Sequence, residues 1–311
     1  ESNLVNRTQP EVRGGPNLTC VAKVKATLQD EGLPTTHLIS IGGWDAPHPD
    51  TRWTGAEWFV VFDAWNQRNG SRLFDGFDWD LEGNDNANSS WNEFTVQCLE
   101  LIGQLSEAAV TAGYNVTICP PQSYLDPSTS NFSRSLLWPP VARWHQEFHY
   151  HSRNSYAYLL ARYNRAFSLV SVQLYETWSG ANFAISQRNE SAGSYLASWA
   201  ESLFNGWTVD FGQDPDVALA PQRVAVRPEQ LIIGLSNGAG LPPAKVLLLW
   251  PDELQAAWRE LEGKGKPRPR GAMFWNAKME GRVPEGTSRP LRLAHDLNSF
   301  LNVRQGPVVW Q

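Results

Sequence analysis

The chain has 311 residues, 41% of them hydrophobic, and a formal net charge of −6. That length suits one large domain or two small ones. The mild acidity argues against nucleic acid or an anionic membrane as partner, and no apolar run approaches a membrane span.

In chain order, residues 1–16 (ESNLVNRTQPEVRGGP) read as a loop, because two prolines and two glycines leave only Leu4 and Val5 as an apolar pair. CVAKVKATLQDEG (20–32) predicts a helix, and HLISIGG (37–43) a strand ending in glycines. GAEWFVVFDAWNQRNG (55–70) places Trp58, Phe62 and Trp65 at helical spacing before a glycine stop. An acidic strand follows at 74–83. WNEFTVQCLELIGQLSEAAVTAG (91–113) predicts a long amphipathic helix with Phe94, Cys98, Leu101, Leu105 and Ala108 on one stripe. NVTICPP (115–121) is a short strand, then an irregular insert rich in Trp, His and Tyr precedes a helix near 154–166. SLVSVQLY (168–175) alternates as a strand, a helix covers 191–205, and LIIGLS (231–236) is a buried strand. A helix at 251–262 leads through the basic turn KGKPRPRG to the strand GAMFW (271–275), and a last helix covers about 288–302. There is no internal repeat and no low-complexity linker.

The acidic strand FDGFDWDLEG (74–83) concentrates the chemistry. Alternation puts Gly76, Asp78, Asp80 and Glu82 on one face and Phe77, Trp79 and Leu81 on the other. Three carboxyl groups in a row repel one another, so at least one pKa must rise. Such a perturbed acid suits a functional site. A solvated face is the bland alternative, but outward Phe, Trp and Leu call for a covered strand. A calcium loop is the other. Its opening matches Asp78-x-Asp80-x-Glu82-Gly83, yet Ser89 stands where the closing Glu belongs. Asp75 has the opposite parity and reads as structural.

Strands alternating with helices imply a parallel sheet. No glycine-rich nucleotide loop follows the first strand, so an open doubly wound sheet fits poorly. A (β/α)8 barrel fits better. Polar or aromatic residues stand at the C-terminal ends of several strands (Glu82, Gln122, Tyr175, Asn237 and Trp275), and that face carries the chemistry in such barrels.

These pieces resemble glycoside hydrolase family 18. DGFDWDLE (75–82) looks like its DGxDxDxE signature, and SIGGW (40–44) is similar to its SxGG strand one unit earlier. PPQSYLDP (120–127), VQLYE (172–176) and GAMFWN (271–276) fall where its fifth, sixth and eighth strands end, closest to the plant-type class III chitinase branch. Two departures stand out: Glu176 where class III members usually have Asn, and a long insert at 124–153. The resemblance implies a retaining, substrate-assisted mechanism, an exception to the two-carboxylate scheme. Glu82 would protonate the glycosidic oxygen, and the substrate's own N-acetyl carbonyl would attack the anomeric carbon. Asp80 would hold the acetamido N–H, Asp78 would share a proton with Asp80, and Tyr175 would donate to the acetamido oxygen. Trp275 would floor the distorted sugar, with Gln173, Gln122, Trp44, Ser40, Gly43 and Met273 completing the substrate-binding set. No cofactor and no metal are expected, and the expected partners are chitin or N-acetylglucosamine oligosaccharides, met by a monomer.

Without the motif, Tyr175 and Trp275 read as core more readily than as ligands. Trp44 and Trp178 either line the cleft or fill the barrel rim. His145, His149 and His151 lack a metal-ligand pattern and read as surface. Fifteen Trp is a surplus that suits sugar stacking. Three functions compete: a chitinase cutting β-1,4-linked N-acetylglucosamine polymers, an endo-β-N-acetylglucosaminidase acting on N-glycans, and a chitin-binding lectin. Intact Asp78, Asp80, Glu82 and Tyr175 disfavour the lectin.

Seven Asn-x-Ser/Thr sequons occur, at Asn6, Asn17, Asn69, Asn88, Asn115, Asn131 and Asn189. Chance would give roughly two or three, so a secreted eukaryotic glycoprotein is expected. Asn115 lies close to a strand. Three cysteines, Cys20, Cys98 and Cys119, leave one over. One barrel domain is expected over 1–311. Its first two strands look absent, so the chain reads as a six-stranded fragment cut in the second β-to-α loop, with exposed edges around 37–42 and 271–275. GPVVWQ at the end is a candidate for the vacant first-strand slot.

Overall fold

A computed structural model describes residue 10 and residues 15–136, 153–238 and 246–301. GPVVWQ, Asn6 and the three histidines at 145, 149 and 151 lie outside the described residues. The chain divides into two compact units, Glu1–Ile118 with Ala161–Ser168, and Cys119–Leu160 with Leu169–Gln311.

The first unit opens with α1 (Leu18–Asp30), capped by the Asn17 side-chain oxygen, which accepts from the Cys20 N–H at 3.1 Å. β1 (Leu38–Gly43) follows, then α2 (Gly55–Asn66). A capping box starts α2: the Thr54 N–H donates to the Glu57 carboxylate at 2.7 Å while the Glu57 N–H donates to the Thr54 hydroxyl at 3.3 Å. β2 (Gly76–Leu81), α3 (Val96–Thr111) and β3 (Asn115–Ile118) complete the unit. The three strands pair in parallel, with Ser40 opposite Asp78 and Asp78 opposite Thr117.

Alternation along β2 divides it as its sequence requires. Phe77, Trp79 and Leu81 are at most 1% exposed, while Asp78 and Asp80 stay half-buried. Phe77 meets Phe62 of α2 edge-to-face at 5.0 Å, and the Trp79 indole N–H donates to Ser106 of α3 at 2.9 Å. Gly76 is obligatory here, because a Cβ would lie 1.7 Å from the Asn115 carbonyl oxygen. Asp75 binds Lys25 of α1 at 2.8 Å and accepts the His37 N–H at 2.8 Å, tying α1 and β1 to the start of β2. The helix expected from Trp91 starts later. Ser90–Asn92 is a 3-10 turn, and Thr95 caps α3 by accepting from the Cys98 N–H.

α4 (Ala157–Tyr163) straddles the boundary between the units. In the second unit, β4 (Leu169–Gln173) leads to α5 (Ala192–Asn205). Gly206 (φ 72) turns the chain into a short antiparallel pair, β5 (Trp207–Val209) and β6 (Gln222–Val224), which the sequence did not announce. β7 (Leu231–Ser236), α6 (Pro251–Gly263), β8 (Gly271–Trp275) and α7 (Leu293–Leu301) follow. β4, β7 and β8 pair in parallel.

Six parallel strands, each followed by a helix, give the expected α/β fold: six repeats of the (β/α)8 barrel type among the described residues. β7 is buried throughout, whereas β8 is only half-buried and β1 alternates between half-buried and exposed. Among the described residues β1 pairs only with β2, and a cavity of about 520 Å³ lies beside it, lined by Cys20, Val21 and Val24 of α1 and Leu38 and Ile39 of β1. None of the three cysteines is in a disulfide; Cys20 is exposed and Cys98 and Cys119 are buried, and burial pushes the Cys98 thiol up to about 12.

Candidate active site

In the first unit the acid face stands at the C-terminal half of β2. Ser40 donates to Asp78 Oδ2 at 3.5 Å, and the Thr117 hydroxyl donates to Asp78 Oδ1. Asp78 is thus held from the strands on either side. Burial pushes its carboxyl up to about 6, and these two donors pull the other way. Repulsion within the row of acids was the expected reason for a raised pKa on this face. Burial, however, is the leading cause.

Gly42 makes room for that face. It adopts φ 109, and a Cβ there would lie 2.4 Å from the Asp80 carbonyl oxygen. Gly43 continues at φ 99, and Trp44 turns its ring to solvent at 53% exposure. Glu82 follows directly after the last residue of β2 and is half-buried. Its main chain has a support that sequence reasoning missed. A His48 ring nitrogen lies 3.2 Å from the Glu82 carbonyl oxygen, and the ring stacks on Phe94 at 4.8 Å. Burial lowers the His48 pKa. Beyond Glu82, the Asn84 N–H donates to Asn92 at 2.7 Å, and the Asn84 amide donates to Asp45 and Ser89. The segment after Glu82 is an asparagine-linked turn. Among the described residues no cluster of His, Cys, Asp or Glu has the arrangement to hold a metal.

The second unit holds Gln122, Gln173, Tyr175, Met273 and Trp275. Gln122 is fully buried. Its amide nitrogen donates to the Tyr195 hydroxyl at 2.8 Å and its oxygen accepts from the Ala181 N–H at 2.9 Å. Both ends of the amide are engaged, and Gln122 anchors the loop after β3. Gln173 is similarly enclosed at 4% exposure, its amide donating to the Cys119 carbonyl at 2.8 Å. It too ties this loop to β4, with Pro121 bridging to Gln173. Tyr175 and Met273 are half-buried, and Trp275 is 53% exposed. Asn237 fixes the chain just past Trp275. Its amide donates to the Asn276 carbonyl at 2.7 Å and accepts from the Asn276 N–H at 2.8 Å.

Glu176, the departure from the class III pattern, has its own place. Its carboxylate accepts the Ser123 N–H at 2.7 Å. Burial pushes it up to about 7, partly offset by the bonds from Ser123 and by Arg153.

No family model matches the chain, and no curated protein matches it. Solved structures do. A fungal endo-beta-N-acetylglucosaminidase from glycosyl hydrolase family 18 shares 15% identity over 89% of this chain and 75% of its own, with a TM-score of 0.47. Chitinase ChiC from Aspergillus fumigatus shares 15% over 88% and 74%, at 0.49. The Group IV chitinase of Ostrinia furnacalis, in complex with allosamidin, shares 14% over 91% and 83%, at 0.48. The chain is similar to these proteins in fold. Among the described residues no helix is long and apolar enough to cross a membrane.

Proposed function

We propose that this chain is a retaining glycoside hydrolase that cuts β-1,4-linked N-acetylglucosamine polymers with help from the substrate's acetamido group. One observation carries the reading: Asp78, Asp80 and Glu82 alternate along a strand whose opposite face is core, and the innermost of them is pushed up to about 6. A row of carboxyl groups running from an acid with a raised pKa to the strand end is what a proton-donating site needs. In this reading Glu82 gives its proton to the glycosidic oxygen as the C–O bond breaks. The acetamido oxygen closes on the anomeric carbon to form an oxazolinium ion. Asp80 holds the acetamido N–H, and Asp78 steadies Asp80. Water then opens the ring and returns a proton to Glu82.

Tyr175, Trp275 and Met273 belong to the second unit, and their part in one catalytic domain rests on the resemblance to family 18. Trp44 is an exposed flat side chain on the first unit, suited to a sugar face. The same chemistry serves an endo-β-N-acetylglucosaminidase. The test is to incubate the protein with chitin oligomers and with a high-mannose glycopeptide, and to identify the products. Cleavage of the oligomers with the β-anomer released first is the expected result, and fully deacetylated chitosan should stay intact. Cleavage of the glycopeptide alone would move the substrate to N-glycans. Release of the α-anomer would overturn the retaining mechanism.

A further inference from the structure

The sequons are a pattern that the proposed reaction does not use. Six of the seven fall among the described residues, at Asn17, Asn69, Asn88, Asn115, Asn131 and Asn189, and every one of these asparagines is exposed. Eleven other asparagines are described, and only Asn86, Asn205 and Asn298 among them are exposed. Exposure therefore follows the tripeptide rather than the residue type.

The side-chain amides divide the same way. A glycan attaches to the amide nitrogen, so that atom must face solvent. In Asn66, Asn84, Asn92, Asn154, Asn182 and Asn237 the nitrogen donates a hydrogen bond within the protein. Among the described residues no sequon asparagine spends its amide nitrogen in this way. Asn17 is the informative case. It caps α1, but through its oxygen, which accepts from the Cys20 N–H. The nitrogen is left over, so the cap and a glycan are compatible.

We infer that Asn17, Asn69, Asn88, Asn131 and Asn189 carry N-linked glycans. Transfer would come from a lipid-pyrophosphate-linked oligosaccharide. The asparagine amide nitrogen bonds to the anomeric carbon and loses one proton, and the lipid pyrophosphate leaves. Asn115 is set apart. It begins β3, its N–H donates to the Asp75 carbonyl at 2.9 Å, and its sequon threonine, Thr117, is 3% exposed with its hydroxyl given to Asp78. A tripeptide locked in this way is a poor acceptor, and Asn115 stays bare.

The inference stands apart from the proposed reaction. The test takes the protein from the cells that make it and treats it with a peptide N-glycosidase in heavy-oxygen water before peptide mass spectrometry. Each occupied asparagine returns as labelled Asp. A single N-acetylglucosamine left on the asparagine, read as an added sugar mass, also counts as occupancy. Occupancy at most of the five sites, with Asn115 unmodified, is the expected result. Unmodified asparagine at most of the five overturns the inference.

Discussion

Two carboxyl groups, one in each unit, are pushed toward neutrality by the same cause, and they stand among different neighbours. Asp78 rises to about 6 and Glu176 to about 7, with burial the leading cause in both. Asp78 sits mid-strand between two hydroxyl donors, Ser40 and Thr117, and shares its face with two further acids. Glu176 sits past a strand end, and its carboxylate accepts a backbone N–H from the loop that Gln122 and Gln173 also anchor. Two groups raised alike by burial thus differ only in what surrounds them. The neighbours decide: a row of acids can hand on a proton, whereas an acid holding a main-chain N–H holds a loop.

The comparison breaks most sharply at Glu82. Glu82→Gln keeps the shape but has no proton to give, and kcat should fall by about 10²–10⁴-fold with oligosaccharide binding retained. Near-normal turnover in steady-state kinetics would remove Glu82 as the acid. The opposite face of the same strand gives the largest expected loss of stability. Trp79→Ala empties a core site at 1% exposure and should cost about 3–5 kcal/mol in denaturant unfolding.

The two raised acids can then be separated by pH. Each binds its proton more tightly in the folded chain than in the unfolded one. Their stabilising contributions are therefore full at low pH and are lost as pH rises, from 3.8 through about 6 for Asp78 and from 4.5 through about 7 for Glu176. The loss is at most about 3 kcal/mol for Asp78 and about 3–4 kcal/mol for Glu176. Asp78→Asn should flatten the lower window of a stability-versus-pH curve and lower kcat as well. Glu176→Gln keeps an acceptor for the Ser123 N–H. It should flatten the upper window and leave kcat within a few-fold. If Glu176→Gln abolishes turnover, the distinction between the two acids fails.

The smallest effect is expected at His48. His48→Ala removes the contact to the Glu82 carbonyl and the stack on Phe94. Loss of about 1 kcal/mol should show as roughly fivefold in kcat, with KM little changed. A shift in KM alone would mean that His48 shapes binding and not the position of Glu82.

The sequence by itself determined the strand–helix alternation and the two faces of β2, because both are local periodicities that a reader can count. It also separated Asp75 from the other acids by parity, and the Lys25 and His37 contacts give that residue a structural task. Only the tertiary structure decided what Gln122, Gln173, Glu176 and His48 do. Gln122 looked like a ligand because it is polar and stands beyond a strand end. Its partners, Tyr195 and Ala181, lie far along the chain, and only folding brings them to both ends of one amide. The raised pKa of Asp78 divides between the two sources. Three acids in a row announced that one must rise, but which one, and that burial would be the leading cause, depended on the strands that fold up on either side of it.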